Sequence, residues 1–194
     1  LAVFLLSTGG IQDQGWWFIL GTSLIHVLYF LFLSRSYIYS DLSLAYPIAR
    51  GIGPALIPIV GVSVLDEEIT LLAVLGIMAI IGGIFIAYWW GQILIIARDP
   101  LKLLKDPGVK YALLTGITIT AYSVWDKIGI GYVTPMLYMY LLSLGAALGL
   151  APYILFRHRY KAVKNELQFN AVKVFGAGIL AFFAYVAVLE ALRR

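Results

Sequence analysis

The run Ile69–Ala97, ITLLAVLGIMAIIGGIFIAYWWGQILIIA, contains no charged residue and carries the pair Trp89 and Trp90 in its second half. A helix needs about 20 mainly apolar residues to cross the hydrocarbon of a bilayer. A soluble helix of such length keeps a polar face toward water, and this run has none. It reads as a membrane span over residues 69–92.

The flanking sequence repeats the pattern. Upstream, Trp16–Ser34 is uncharged, as is Leu42–Ala49, which resumes after Arg50 and continues to Leu65. Downstream, Tyr111–Trp125 and Ile128–Phe156 are uncharged. The second of these is too long for one span. Gly129, Gly131 and Thr134-Pro135 divide it, with Thr134 as N-cap and Pro135 as first helical residue. Six spans follow, at 16–38, 42–65, 69–92, 110–131, 135–156 and 169–192, and residues 1–8 read as the end of a seventh. The fold class is an all-α polytopic membrane bundle.

Composition agrees. Hydrophobic residues make up 62% of the 194, and only 12% are charged, against about a quarter in soluble domains. Mean hydropathy is +0.93. The formal charge of +4 does not point to nucleic acid, because the basic residues fall in short interhelical stretches. Without cysteine there is no disulfide framework and no thiolate chemistry. The chain opens at Leu1 inside an apolar stretch with no initiator Met, so a natural N-terminal portion is expected before it.

Charge also orients the bundle. Arg98, Lys102, Lys105 and Lys110 occupy one linker, and Arg157, Arg159, Lys161 and Lys164 another. Two spans separate them, which places them on one side together with Arg35. The opposite loops carry Asp13 and the turn Asp66-Glu67-Glu68, which reads as a capped interfacial turn. The positive-inside rule makes the basic side cytoplasmic; binding of anionic head groups would use the same residues.

Tyr29–Ile38 (YFLFLSRSYI) lines up with Tyr185–Arg194 (YVAVLEALRR): both begin with Tyr after an uncharged run and share Leu at the fifth position. Transporters are commonly built from two related halves. If these segments correspond, partner helices are expected beyond both ends, completing ten helices in two inverted sets of five.

The stretch Ser40–Ile86, with SDLSLAYPIARGIGPALIPIVGVSVLDEEIT and LGIMAIIGGIFI, resembles the fourth and fifth helices of EamA-type permeases of the drug/metabolite transporter superfamily. YSVWDKIGI (Tyr122–Ile130) and TPMLYMYLLSLGAALGLAPY (Thr134–Tyr153) are similar to the opening of that family's second half. The resemblance implies a ten-helix inverted repeat that moves small organic solutes. Residues 1–97 would then end the first repeat, 98–110 would be a basic linker, and 111–194 would begin the second. It also implies cytoplasmic termini, which would put the 98–110 linker outside. The charge distribution places that linker inside.

Arg50 is the sharpest single feature, because an ionisable side chain inside a span costs at least ~2.5 kcal/mol. Its helix is weakened by Pro47, Gly51, Gly53, Pro54 and Pro58. Pro54 removes the hydrogen bond to the Arg50 carbonyl, and Pro58 the one to Pro54. Irregular backbone at membrane depth persists where protein or water satisfies it. Tyr46 shares a helical face with Arg50, so the two are expected to line a substrate cavity; the alternative is an arginine that snorkels or pairs structurally. His26, Tyr122, Trp125 and Tyr138 are further substrate-binding candidates. His26 reads more readily as a hydrogen-bonded structural residue than as a proton relay. Tyr138 and Tyr140, two apart, are not expected to face one cavity together. Asp126-Lys127 reads as an interfacial, self-compensating pair, which leaves no deep carboxylate to carry a coupling proton. Gly145 and Gly149 form a GxxxG for helix packing, and Gly82-Gly83 and Gly176/Gly178 are expected to act alike.

The functional expectation is transport of a small polar or amphipathic metabolite, amino-acid-like or drug-like, by alternating access and outward. The expected partners are that solute and the lipid bilayer, with no nucleic acid, cofactor or metal. The expected location is a bacterial or archaeal plasma membrane, crossed several times. A membrane enzyme lacks a paired carboxylate or metal-ligand cluster to work with. A non-transporting scaffold gains nothing from a weakened helix with a deep arginine.

Overall fold

Where a helix starts depends on which residue satisfies its first free N–H groups. The computed structural model describes residues 11–65, 70–89, 105–156 and 160–193. Within them six helices follow one another: α1 Gly15–Tyr39, α2 Leu42–Leu65, α3 Leu71–Trp89, α4 Pro107–Gly129, α5 Pro135–Phe156 and α6 Tyr160–Leu192. No strand occurs among the described residues. The expected helix remnant at 1–8, the acidic turn at 66–68, Arg98, Lys102, Arg157 and Arg159 lie outside them.

Among the described residues four helices are long and apolar enough to cross a membrane: Gly15–Tyr39, Leu42–Ser63, Pro135–Phe156 and Tyr160–Leu192. The 25 residues of α1 extend about 37 Å at a rise of 1.5 Å, more than the roughly 30 Å of a hydrocarbon core. In α3 the apolar stretch is the shorter Leu71–Gly83. The 23 residues of α4 are long enough, but hydroxyl side chains lower their hydropathy. Those hydroxyls are satisfied locally: Thr115, Thr120 and Ser123 donate to the carbonyls of Tyr111, Gly116 and Ile119, and Thr118 to that of Thr115. The chain is an all-α, multi-pass integral membrane protein.

One helix start differs from the sequence expectation, one lacks its expected cap, and one has further helical turns before it. α4 begins at Pro107 rather than 110, because Asp106 Oδ1 accepts from Gly108 N at 2.7 Å and Val109 N at 3.1 Å. That is an N-cap followed by proline at the first helical position. α5 does begin at Pro135, but the Thr134 hydroxyl is buried without a hydrogen-bond partner, so proline geometry alone starts this helix. α6 carries helical turns from Tyr160, ahead of the expected start at 169, since Lys, Ala, Glu and Gln in this charged segment are good helix formers, and the helix expected from 169 follows a kink at Asn170. Its axis breaks at Asn170 (φ −127°, ψ 20°), whose amide donates to Glu166 Oε1 at 2.9 Å. α2, in contrast, runs continuously through Pro47, Pro54 and Pro58; the prolines weaken the helix without dividing it.

The chain forms two compact units: residues 28–124, and residues 1–27 with 125–194. In the first, α2 packs on α4 around Ala45, Ile48, Ala49, Val109 and Ala112. The contact is reciprocal: a Cβ at Gly53 would lie 2.7 Å from Ile119 Cγ2, and one at Gly116 would lie 2.5 Å from Ile52 Cβ. Each glycine admits the other helix's isoleucine. In the second unit, Ile19, Ile130, Val133, Leu137, Tyr138 and Leu189 form the core. Gly145 and Gly149 bring α5 against Ser23 and Val27 of α1. Gly82, Gly83, Gly176 and Gly178 face open space among the described residues, so the packing role expected of them is not made there.

Candidate functional site

A carboxylate organises the second unit. Asp126, near the end of α4, has no exposed surface. The hydroxyl of Tyr138 on α5 donates to its Oδ1 at 2.8 Å, and that of Tyr185 on α6 to its Oδ2 at 2.5 Å. The shorter of the two, from Tyr185, has the length of a hydrogen bond assisted by a negative charge. The hydroxyl of Thr22 and the imidazole of His26, both on α1, lie within hydrogen-bonding and electrostatic reach of the same carboxylate. Asp126, expected as an interfacial residue compensated by Lys127, is instead buried among the helices and satisfied by hydroxyls that other helices bring to it. Asp126 turns toward α1, α5 and α6, while Lys127, about 100° around the helix, is only half-buried.

His26 is buried, and its Nδ1 lies 2.9 Å from the Thr22 carbonyl and 3.2 Å from the Thr22 hydroxyl. A carbonyl only accepts, so Nδ1 carries a proton in this contact. Its ring meets Tyr185 edge-on at 5.9 Å. The cluster therefore joins four helices through Thr22, His26, Asp126, Tyr138 and Tyr185, four of which are buried and the fifth half-buried.

Trp125, next to Asp126, points another way. Its indole N–H donates to the Phe18 carbonyl at 2.9 Å, and its ring lies over Gly21, where a Cβ would come within 2.5 Å of Cζ2. Phe18 bridges Trp125 and Tyr132, with ring centroids 5.2 Å from each. Trp125 also closes one end of an apolar groove of about 590 Å³ between α1 and α5. Trp17, Leu20, Leu24, Leu144 and Leu148 line it, with Ser23 as a polar side chain on its wall.

The remaining candidates sit in the other unit. Arg50 is exposed on α2, its guanidinium carbon 5.8 Å from the centre of the Tyr46 ring, in cation–π range. Tyr122 on α4 meets Tyr29 edge-on at 5.8 Å. At the far end of α1, Arg35 donates to the Tyr111 hydroxyl at 2.9 Å, and Tyr39 stacks on Tyr111 at 5.8 Å. Of the six sequence candidates, His26, Trp125 and Tyr138 thus belong to one unit and Arg50, Tyr46 and Tyr122 to the other. Tyr138 is buried whereas Tyr140 is exposed.

Asp126 and Tyr185 were missed as site residues. The available signal was a carboxylate inside a helix whose neighbours include tyrosines able to donate to it. No group of three or more His, Cys, Asp or Glu able to hold a metal occurs among the described residues. No curated protein and no solved structure matches the chain. Residues 2–80, about two-fifths of the chain, match the family model of the Small Multidrug Resistance protein.

Proposed function

We propose that the chain moves a small polar or amphipathic organic solute across a bilayer by alternating access, in the outward direction. The observation that carries this reading is Asp126, a carboxylate with no exposed surface held by two tyrosine hydroxyls from two other helices. Burying an ionised carboxylate costs several kcal/mol, which apolar side chains would avoid in a helix bundle that only had to stand. Ionisable residues inside membrane bundles mark solute and ion pathways.

The match over residues 2–80 supports the same reading, since the Small Multidrug Resistance family is of the drug/metabolite-transporter type. Its name speaks of drugs, which fits an amphipathic solute and export. The groove beside Trp125, at about 590 Å³, has the size of small-molecule sites. The EamA-type assignment, the inverted repeat divided at residues 97/98, and solute binding by Arg50 and Tyr46 belong to this proposal. So does a bacterial or archaeal plasma membrane as its location.

Purified protein would be reconstituted in liposomes and screened for counterflow with radiolabelled amino acids and amphipathic organic cations. Counterflow of at least one compound, lost in Asp126→Asn, is expected. Absence of counterflow for every compound, or counterflow unaltered by Asp126→Asn, would overturn the reading.

A further inference from the structure

We propose that Asp126 is a proton-binding site whose charge state latches the C-terminal half of α6 through Tyr185. The first support is how little of this helix is buried among the described residues. Leu189 is the buried residue on α6 among those described. Tyr185 and Leu192, packed on the same core, lie four before and three after it, so one narrow stripe makes the contact. Above it, the break at Asn170 separates the docked segment from the first turns. A single changed polar contact therefore bears on a large part of the docking energy.

The second support is the acceptor arithmetic of the carboxylate. Ionised, Asp126 only accepts, and its two oxygens receive the hydroxyls of Tyr138 and Tyr185, with that of Thr22 also in reach. Protonated, one oxygen becomes a donor. A proton arriving from water forms an O–H bond at Oδ2, no bond between heavy atoms breaks, and the charge-assisted Tyr185 O–H···Oδ2 bond gives way to a neutral one, about half as strong, in which the carboxyl donates to the tyrosine oxygen. Tyr138 keeps its acceptor on Oδ1. Proton uptake cancels the cost of the buried charge and loosens the hold of Asp126 on α6.

The groups facing Asp126 are identified on every packed element: Thr22 and His26 on α1, Tyr138 on α5 and Tyr185 on α6. Lys127 follows it on α4. His26 is the other ionisable side chain turned toward the carboxylate, so it must be tested beside Asp126. The latch does not require that the chain transport anything.

The chain has no cysteine, so Met136→Cys and Val188→Cys, both at exposed positions, can carry a unique pair of spin labels on α5 and α6. Distances would be measured by pulsed electron resonance across a pH series in lipid nanodiscs. Carboxyl protonation would be followed in parallel by infrared difference spectra. At high pH one short distance is expected. As pH falls, a second, longer distance should grow together with a protonated-carboxyl band that is absent in Asp126→Asn. Asp126→Asn should show the longer distance without pH dependence. Tyr185→Phe should keep the titrating band but lose the pH dependence of the distance, and His26→Gln should keep both. A wild-type distance that does not change with pH overturns the proposal. So does a pH-dependent distance that survives Tyr185→Phe, or one abolished by His26→Gln with the Asp126 band intact. If Asp126→Asn does not fold, the wild-type, Tyr185→Phe and His26→Gln series decide by themselves. A chain without counterflow activity could still show the latch, so the two readings fail separately.

Discussion

The hydroxyl of Tyr185 lies 2.5 Å from Oδ2 of Asp126 across 59 residues of sequence, and the other oxygen of the same carboxylate is taken by Tyr138. Two helices thus share one charge. Hydrogen bonds to a charged group contribute about 1.5–3 kcal/mol each, so Tyr185→Phe should destabilise the protein by about that amount in lipid or mild detergent. Tyr138→Phe should do likewise. The double substitution should depart from additivity by about 0.5–3 kcal/mol, as partners of one group do. Thermal or denaturant unfolding of the four proteins would show it, and strict additivity would mean that the carboxylate is not the shared element.

Gly21 is the seat of the Trp125 indole, since a Cβ there would come within 2.5 Å of the ring. Gly21→Ala should push the ring aside, weaken its hydrogen bond to Phe18 and cost about 1–3 kcal/mol, the usual range for overpacking. Trp125 emission, read in a variant whose other tryptophans are replaced by phenylalanine, should shift. An unchanged spectrum with unchanged stability would show that the close contact is not present in solution.

The α2–α4 seam offers an internal control. Gly53→Ala and Gly116→Ala each place a methyl against an isoleucine and should destabilise by about 1–3 kcal/mol. Gly82→Ala meets nothing within 4 Å and should be neutral or stabilising by up to about 1 kcal/mol, from helix propensity alone. Equal effects at all three positions would contradict the seam.

Orientation is open to direct labelling. The basic loops are expected inside, so Gln14→Cys should react with a membrane-impermeant maleimide in whole cells, and Asn165→Cys only after lysis. Both positions are exposed. The reverse pattern would put the basic side outside, as the EamA resemblance implies.

Arg50 with Tyr46 is the proposed solute contact in the other unit. A guanidinium grips a carboxylate through two parallel hydrogen bonds, which an ammonium does not reproduce. Arg50→Gln should weaken apparent affinity for an anionic or zwitterionic solute roughly thirty- to hundredfold, equivalent to about 2–3 kcal/mol. Arg50→Lys should recover part of it. Unchanged affinity in a normally folded Arg50→Gln protein would make the residue structural.

The sequence by itself determined that this chain is an all-helical membrane protein and where most of its helices run. α1, α2 and α5 lie within a residue of their expected bounds. Partition into lipid depends on the length and polarity of a local run, so neighbours in sequence are enough to read it. The beginning of α4 and the helical turns before Asn170 in α6 were legible in principle, from Asp106-Pro107 and from the helix-forming residues after Tyr160, but hydropathy hid them because charged helical turns resemble linkers. The environment of Asp126 was decided by tertiary structure alone. Whether a carboxylate at a helix end meets water or two tyrosines depends on which way α4 is turned and on what α5 and α6 bring to it. Tyr185 stands 59 residues away, and no local pattern encodes that meeting. The same holds for the glycines: Gly145 and Gly176 look alike in sequence, yet one presses on Ser23 and the other on open space, because close packing is a property of the pair of surfaces and not of either one.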